Sequence, residues 1–309
     1  MNTKEAEGTG PLVTIGVCTR KRPEMVVKCL RSLFELETSF KYDIVVVEND
    51  EEQTARKEIE SLKPEASSRG IELRYYCEPE QNISIARNRC ASECRGEFLA
   101  FIDDDEWADP LWLQSLVDVQ RETGADVVSG VVTPVFEEGF PSYLRDFFYI
   151  KSLVADFAPL TFAPTGAILY KKEILSLRTP VFNVAYGKTG GEDADLSLFL
   201  STMNKKIFGT VRAKAYEFQS LQRGKMWWLF ERNLRTSLIT SRLYYSHYYP
   251  LNGTRVNIKN FLIITCRIIK TVPYIAIKPR WAFVQIGINI FKCLGIIAFY
   301  LGFYKEGYR

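Results

Sequence analysis

Glu97-Phe98-Leu99-Ala100-Phe101-Ile102-Asp103-Asp104-Asp105-Glu106 is the stretch that decides the fold: an apolar run that ends abruptly in acids. Residues 97–102 read as a strand buried on both faces. Alternate residues at a strand end project to the same side, so Asp103 and Asp105 can face one site. Clustered carboxylates repel one another and resist burial when ionised. A cation relieves that repulsion, and Mg²⁺ or Mn²⁺ held by one or two carboxylates together with substrate phosphates is the usual solution. The competing reading is a solvated acidic turn, but the position at the end of a central strand favours the metal.

Outward from this strand the first half alternates apolar runs with amphipathic segments. Strands are expected at Val13–Thr19, Tyr42–Glu48, Ile71–Cys77 and Ala125–Thr133. Helices are expected from Pro23, over Glu51–Leu62 (ended by Pro64), over Ile83–Cys94, and from Asp109-Pro110 with Asp109 as N-cap. Such alternation with Val/Ile-rich strands predicts an α/β fold, a Rossmann-like and mostly parallel sheet flanked by helices. Ligands in such sheets lie beyond the carboxyl ends of the strands. Chemistry is therefore expected just after Thr19, Glu48, Cys77 and Ile102.

Three further motifs sit at suitable places. Val45-Val46-Val47-Glu48-Asn49-Asp50 is a strand ending in polar groups, and Glu48 could accept from a base N–H or a ribose hydroxyl; alternatively, acids here complement a helix dipole. In Gln81-Asn82-Ile83-Ser84-Ile85-Ala86-Arg87-Asn88, Asn82 or Ser84 can open a helix whose Arg87 reaches a phosphate or Asp103. In Thr189-Gly190-Gly191-Glu192-Asp193-Ala194-Asp195, a glycine pair precedes a helix, and Asp193 can approach an acceptor hydroxyl as general base or simply cap the helix.

Composition narrows the class. The chain is 47% hydrophobic and 25% charged, hence globular. The net charge of +3 is unevenly spread, because residues 255–309 hold nine bases and one acid and leave the rest net acidic. That distribution does not suit a nucleic-acid binder. Seven scattered cysteines without a CxxC indicate a reducing compartment and no zinc site. The single histidine, His247, excludes a histidine metal cluster and reads as structural or surface. Residues 1–10 show no apolar signal-peptide core, which places the protein in the cytosol or on the cytosolic side of a membrane.

Thr14-Ile15-Gly16-Val17-Cys18-Thr19-Arg20, Val47-Glu48-Asn49, Ala86-Arg87-Asn88, Ile102-Asp103-Asp104-Asp105 and Gly191-Glu192-Asp193 together resemble family 2 glycosyltransferases of GT-A fold, over about residues 11–220. The resemblance implies a nucleotide-sugar site formed by Thr19, Arg20, Glu48, Arg87, Asp103 and Asp104. It implies Asp105 as metal ligand, and Asp193 with Glu192 as the catalytic pair. Thr165-Gly166 looks like the family's acceptor-side segment, and Trp227 is a candidate sugar platform. The family often has Asp where Glu48 stands, and its processive members carry QxxRW. Gln222-Arg223-Gly224-Lys225-Met226-Trp227 lacks that spacing, so one sugar per acceptor is expected. In detail the chain resembles the glucosyltransferases of succinoglycan-type exopolysaccharide assembly. That implies a UDP-glucose donor, a β-linkage, an undecaprenyl-diphosphate-linked oligosaccharide acceptor, and the cytoplasmic face of the inner membrane.

The expected organisation is a catalytic domain at 11–225, with a nucleotide-sugar half (11–133) and an acceptor half (134–225), followed by a helical tail at 226–309. In the tail, Arg255, Lys259, Arg267 and Lys270 form a basic stripe. Lys278, Gln285, Asn289 and Lys292 continue it as a polar stripe opposed by Ile, Phe, Leu and Trp, the pattern of a helix lying on an anionic membrane surface. A span at Trp281–Tyr304 would place Lys292 inside the bilayer at about 2.5–3.5 kcal/mol and ranks second; packing of the tail on the domain is the plain alternative. Rival functions are a nucleotidyltransferase, against which Cys18–Met25 offers no glycine-rich phosphate loop, a retaining transferase, and a catalytically inert membrane scaffold.

Overall fold

A computed structural model describes residues 10–149, 155–247 and 249–303. Four parallel strands run side by side in the order β3 (Glu72–Cys77), β2 (Tyr42–Glu48), β1 (Val13–Thr19) and β4 (Phe98–Phe101). Thr19 pairs with Glu48, and Gly16 with Phe101, so the carboxyl ends of β1, β2 and β4 open towards one side. Period-two side-chain alternation separates two cores. Ile44 and Val46 of β2 join Val13, Ile15, Leu30 and Trp112 on one face, while Val45 and Val47 join Ala86, Leu99 and Phe101 on the other.

Beyond β4 the sheet becomes mixed. It continues through β8 (Ile168–Lys171), β6 (Val127–Phe136), β9 (Ile207–Gln219) and β5 (Glu106–Ala108), while β7 (Ala158–Pro159) pairs β9. β8 is antiparallel to β4 and β6, β5 and β7 are antiparallel to β9, and β6 runs parallel to β9. The parallel character expected for the sheet thus holds across β1 to β4 and gives way to mixed pairing beyond β4.

Helices α1 (Pro23–Phe34), α2 (Arg56–Ser68), α3 (Ile83–Ser92) and α4 (Trp112–Thr123) cover the faces. Two helices and one strand depart most from expectation. α2 starts later and runs through Pro64, because Ile59, Leu62 and Ala66 keep one face buried across the proline. α4 begins at Trp112; Asp109 instead holds the preceding turn, its carboxylate accepting from Leu111 N–H at 3.2 Å. The three-residue β5 is too short to register as a hydrophobic period. α5 (Ser142–Arg145) and α6 (Glu192–Thr202) lie in the second half.

The C-terminal third is a bundle of α7 (Met226–His247), α8 (Tyr249–Thr271) and α9 (Pro279–Tyr300). α9 approaches α7 closely at Gly295, where any Cβ would collide with the carbonyl of Leu234. Ser237 Oγ donates to the carbonyl of Lys292 at 2.7 Å, and Asn257 Nδ2 donates to the carbonyl of Ser241 at 3.1 Å. α9 corrects the tail reading in one respect. Asn289, expected on an outward polar stripe, is buried, whereas Phe283, Ile290, Leu294 and Ile297 are exposed. α9 buries Val284, Ile288, Ile296 and Phe299 against the bundle beside Asn289, while Lys278 stays exposed and Gln285 and Lys292 are half-buried, so apolar residues occupy both its inner and its outer face. His247 lies outside the described side chains.

Candidate active site

A cleft of about 440 Å³ opens at the carboxyl ends of β1 and β4. The apolar run of β4 stops at Phe101, and Ile102 leads Asp103, Asp104 and Asp105 into this cleft, where β5 takes the chain back into the sheet. Asn82 caps α3, its side-chain oxygen accepting from Ser84 and Ile85 N–H at 3.1 and 3.3 Å, and this aims Arg87 at the cleft. On the acceptor side Gly191 holds φ +97°, a conformation only glycine adopts without strain, and a Cβ there would strike Ile239. The chain can therefore enter α6 with Glu192 turned inward.

Ion pairs tie these parts together. Arg87, itself buried, bridges Asp103 (3.1 Å) and Glu192. Arg22 pairs with Asp104 at 3.0 Å and reaches Asp105 at 3.5 Å. Arg223 pairs with Asp105 at 3.0 Å and with Glu217. Burial raises the Asp104 carboxyl to about 6, with Arg22 pulling it back. Burial likewise raises Glu192 to about 7, opposed by Arg87. Asp103 looks into open cleft with a side chain 43% exposed, yet protein encloses it on its other sides; that enclosure raises its pKa and Arg87 lowers it. Asp193 is raised by burial too, offset by Arg87 and by the backbone N–H groups of Ala194 and Thr165.

The expected site residues separate into three groups. Arg20, Arg87, Asp103, Asp104, Asp105 and Glu192 line the cleft together. Asp193 sits beside Thr165, and Gly166 is packed so closely on Glu106 that a Cβ would overlap its carboxylate. Three others are used differently. Thr19 donates its hydroxyl to Asp104 at 2.8 Å, so it positions that carboxylate. Glu48, fully buried, accepts from Ala55 N–H (2.7 Å), Tyr75 OH (2.7 Å) and Thr54 OH (3.3 Å), so any base or ribose contact would be made by a carboxylate already held by these protein donors. Trp227 is 66% exposed and packs edge-on against Phe291 of α9 at 5.4 Å, away from the cleft; its neighbour Trp228 stands nearer, under Arg223.

Arg22, Glu217, Arg223, Arg232 and Arg235 also line the cleft and were not singled out from the sequence. The Arg20-Lys21-Arg22 run after β1 and the i, i+3 arginines early in α7 were the available signals. As a cation site, the cleft offers hard oxygen donors from Asp103 and Asp105, suited to Mg²⁺ or Mn²⁺ shared with phosphate. Arg22 and Arg223 already neutralise Asp105, so a cation there would have to share it or displace them. Among the described residues no three carboxylate, histidine or cysteine side chains converge as a ready-made metal cluster, so Asp103 and Asp105 could hold such an ion only with phosphate oxygens completing its shell.

A parallel sheet that delivers an acidic run to its carboxyl edge, faced by a second acidic pair on a separate helix, defines the GT-A class of glycosyltransferases. The chain belongs to glycosyl transferase family 2, whose family model matches residues 14–178. It is 34% identical over 235 residues to the succinoglycan biosynthesis protein ExoM of Rhizobium meliloti (strain 1021), covering 75% of this chain and 74% of that protein. Its fold is shared with the mannosyltransferase PcManGT of Pyrobaculum calidifontis, solved with GDP-Man and Mn²⁺ (TM-score 0.65, 13% identity, 97% and 91% of the two chains). It is also shared with S. aureus TarS 1-349, solved with UDP (TM-score 0.53, 14% identity, 95% and 93%).

Proposed function

We propose that this glycosyltransferase transfers a single sugar, glucose from UDP-glucose, with inversion to a β-linkage, onto an undecaprenyl-diphosphate-linked oligosaccharide in succinoglycan-type exopolysaccharide synthesis. The observation that carries the reading is the Arg87 bridge, which brings the donor-side Asp103 and the acceptor-side Glu192 to one guanidinium. Similarity to ExoM supports the pathway class and, through it, the sugar and acceptor.

Asp193 takes the proton of the acceptor hydroxyl. Glu192 is committed to Arg87 and holds the start of α6 in place, which leaves Asp193 as the base. The acceptor oxygen bonds to the anomeric carbon as the bond from that carbon to the diphosphate breaks, and the electron pair leaves with the diphosphate. One displacement inverts the anomeric centre. Mg²⁺ or Mn²⁺ held by Asp105, with Asp103 or Asp104 assisting, supplies electrostatic stabilisation of the leaving charge when bound. Arg22 and Thr19 hold Asp104, and Arg22 and Arg223 keep Asp105 paired until such a cation would share it or displace them.

The bundle supports work at the cytoplasmic face of the inner membrane, on anionic lipid. The outer face of α8 combines Arg255, Lys259, Arg267 and Lys270 with Ile258, Leu262 and Ile269. α9, with 22 residues and a mean hydropathy of 1.8, is long and apolar enough to cross a bilayer. Exposed bases beside exposed aliphatics fit the interfacial zone better than free water.

The test is UDP release from UDP-glucose by purified protein with Mn²⁺, Mg²⁺ or EDTA, beside Asp105→Ala. Cation-dependent release lost in the variant is expected. Release that is indifferent to EDTA and survives Asp105→Ala would remove Asp105 from its metal role.

A further inference from the structure

One wall of the cleft has no part in the chemistry above. α7 presents Arg232 and Arg235, one turn apart, into the same space as Asp105 and Glu217. Of the other arginines lining the cleft, Arg22 is committed to Asp104 and Asp105, Arg87 to Asp103 and Glu192, and Arg223 to Asp105 and Glu217, while Arg20, just after β1, makes no carboxylate ion pair among the described residues. Among the described residues Arg232 and Arg235 pair with no carboxylate.

Aromatic stacking holds this wall in place. Arg232 lies over the Trp228 ring with its guanidinium carbon 5.4 Å from the centroid, and Trp228 in turn stacks on Phe148 at 5.7 Å and 11°. Arg223 reaches the same ring at 5.7 Å. Protein enclosure opposes the charge on Arg232, and Arg223 and Arg235 repel it, while Glu217 and Asp105 favour it. A guanidinium stays protonated under such pressure. Among the described residues Arg232 and Arg235 make no direct ion pair with the cleft's carboxylates, which leaves their N–H donors open to an arriving anion, and a forked guanidinium matches phosphate oxygens in pairs.

We propose that Arg232 and Arg235 are the subsite that takes the diphosphate of the nucleotide-sugar donor and holds the nucleoside diphosphate as it departs. The inference rests on the glycosyl-transfer reading and adds to it a second cationic clamp, contributed by the helical bundle. Arg232 and Arg235 line the same cleft as Asp105 and Glu217, which sets the clamp on the leaving-group side of the proposed reaction. As the bond from the anomeric carbon to oxygen breaks, its electron pair stays on the β-phosphate oxygen, and that is where negative charge grows. The two guanidiniums meet the charge by donating N–H groups, without transferring a proton. A neutral sugar hydroxyl at Asp193 would give them nothing to neutralise.

The experiment titrates UDP, GDP and dTDP, each beside its matching nucleoside, into the full-length protein with Mn²⁺ present. Wild type is compared with R232Q/R235Q and with the charge-keeping R232K/R235K. The glutamine pair is expected to lose roughly 10- to 100-fold in diphosphate affinity while nucleoside affinity stays level. The lysine pair is expected to fall between, because it keeps charge and loses the fork. In turnover kcat should drop with the diphosphate affinity, as for a contact strengthened in the transition state. Equal diphosphate affinity in wild type and both variants overturns the proposal, as does a rise confined to the acceptor KM. A wild type that binds none of the three diphosphates overturns the glycosyl-transfer reading itself. Should the glutamine pair fail to fold, the lysine pair reports the same ratio, and an unchanged value there is equally decisive.

Discussion

In the sheet, Val45, Val46 and Val47 of β2 are sealed from solvent and the acids gather where the strands end at open cleft; in the bundle, Asn257 and Asn289 are sealed while Ile277, Phe283 and Leu301 stand 74%, 66% and 67% exposed. The same free-energy rule operates in both regions, namely that apolar groups leave water and buried polar groups need partners. The sheet obeys it with water as the outer phase. The bundle would satisfy it only with a phase that accepts aliphatic and aromatic surface, bordered by a zone that accepts bases. The two regions thus differ in how much apolar surface they leave exposed, and α7 is common to the cleft and to the bundle.

The hardest blow to this contrast falls in the cleft. Asp193→Asn keeps shape and removes the base, so kcat should fall by about 10²- to 10⁴-fold while nucleoside diphosphate affinity holds; equal loss of both would end its assignment as base. In wild type the base must be ionised, and burial raises both Asp193 and its neighbour Glu192, the latter to about 7. Turnover should accordingly decline as pH is lowered, with the acid limb above the ordinary carboxylate range, and a limb near the normal Asp value would contradict the buried environment.

A smaller effect sharpens the other side of the comparison. R267Q/K270Q removes two exposed bases from α8. Partition onto vesicles containing phosphatidylglycerol should weaken roughly fivefold per base, and partition onto neutral vesicles should not change. Identical sedimentation of variant and wild type on both vesicle types would leave the basic face without a lipid role.

The smallest expected effect concerns the sheet's own buried acid. Glu106 is raised well above its usual range, first by burial and then by Asp103, Asp105 and Glu217. The folded state keeps its proton at pH values where an unfolded glutamate has released it. This contribution is fully present below the unfolded pKa and is lost as pH rises. Glu106→Gln should flatten that loss and gain a few degrees of Tm at pH 8 over wild type, measured in EDTA, with little gain at pH 5. Parallel melting curves at both pH values would count against a protonated Glu106.

What could be read in advance follows from the range of the forces involved. β1 and β2 are bounded to the residue because runs such as Ile44–Val47 have no other way to be buried. The acidic run and Arg87 were legible as a pair because strand end and helix start lie near each other in this class of sheet. The protein partners of Glu48, namely Ala55 and Tyr75, were not legible because they are set by loop and neighbouring strand, which no local pattern reveals. Arg232 and Arg235 escaped notice because a boundary drawn at residue 225 put α7 outside the cleft it lines. The stripe on α9 was recognised as a stripe, but periodicity does not say which side faces a neighbour, and Asn289 points inward.

The pairing of β5 with β9 has a consequence for synthesis. Glu106–Ala108 is held by Ala215–Glu217, so the turn carrying Asp103–Asp105 is anchored upstream by β4 and downstream by a strand about a hundred residues later. At about 5–20 residues per second the ribosome needs roughly 5–20 s to cross that interval. During it, β1 to β4 can pair while the acidic turn remains tethered at one end, and Arg223 has yet to be made. A chain cut short before residue 215 would therefore assemble the first four strands and still hold no finished cleft, so that the order of translation itself keeps an incomplete product inactive.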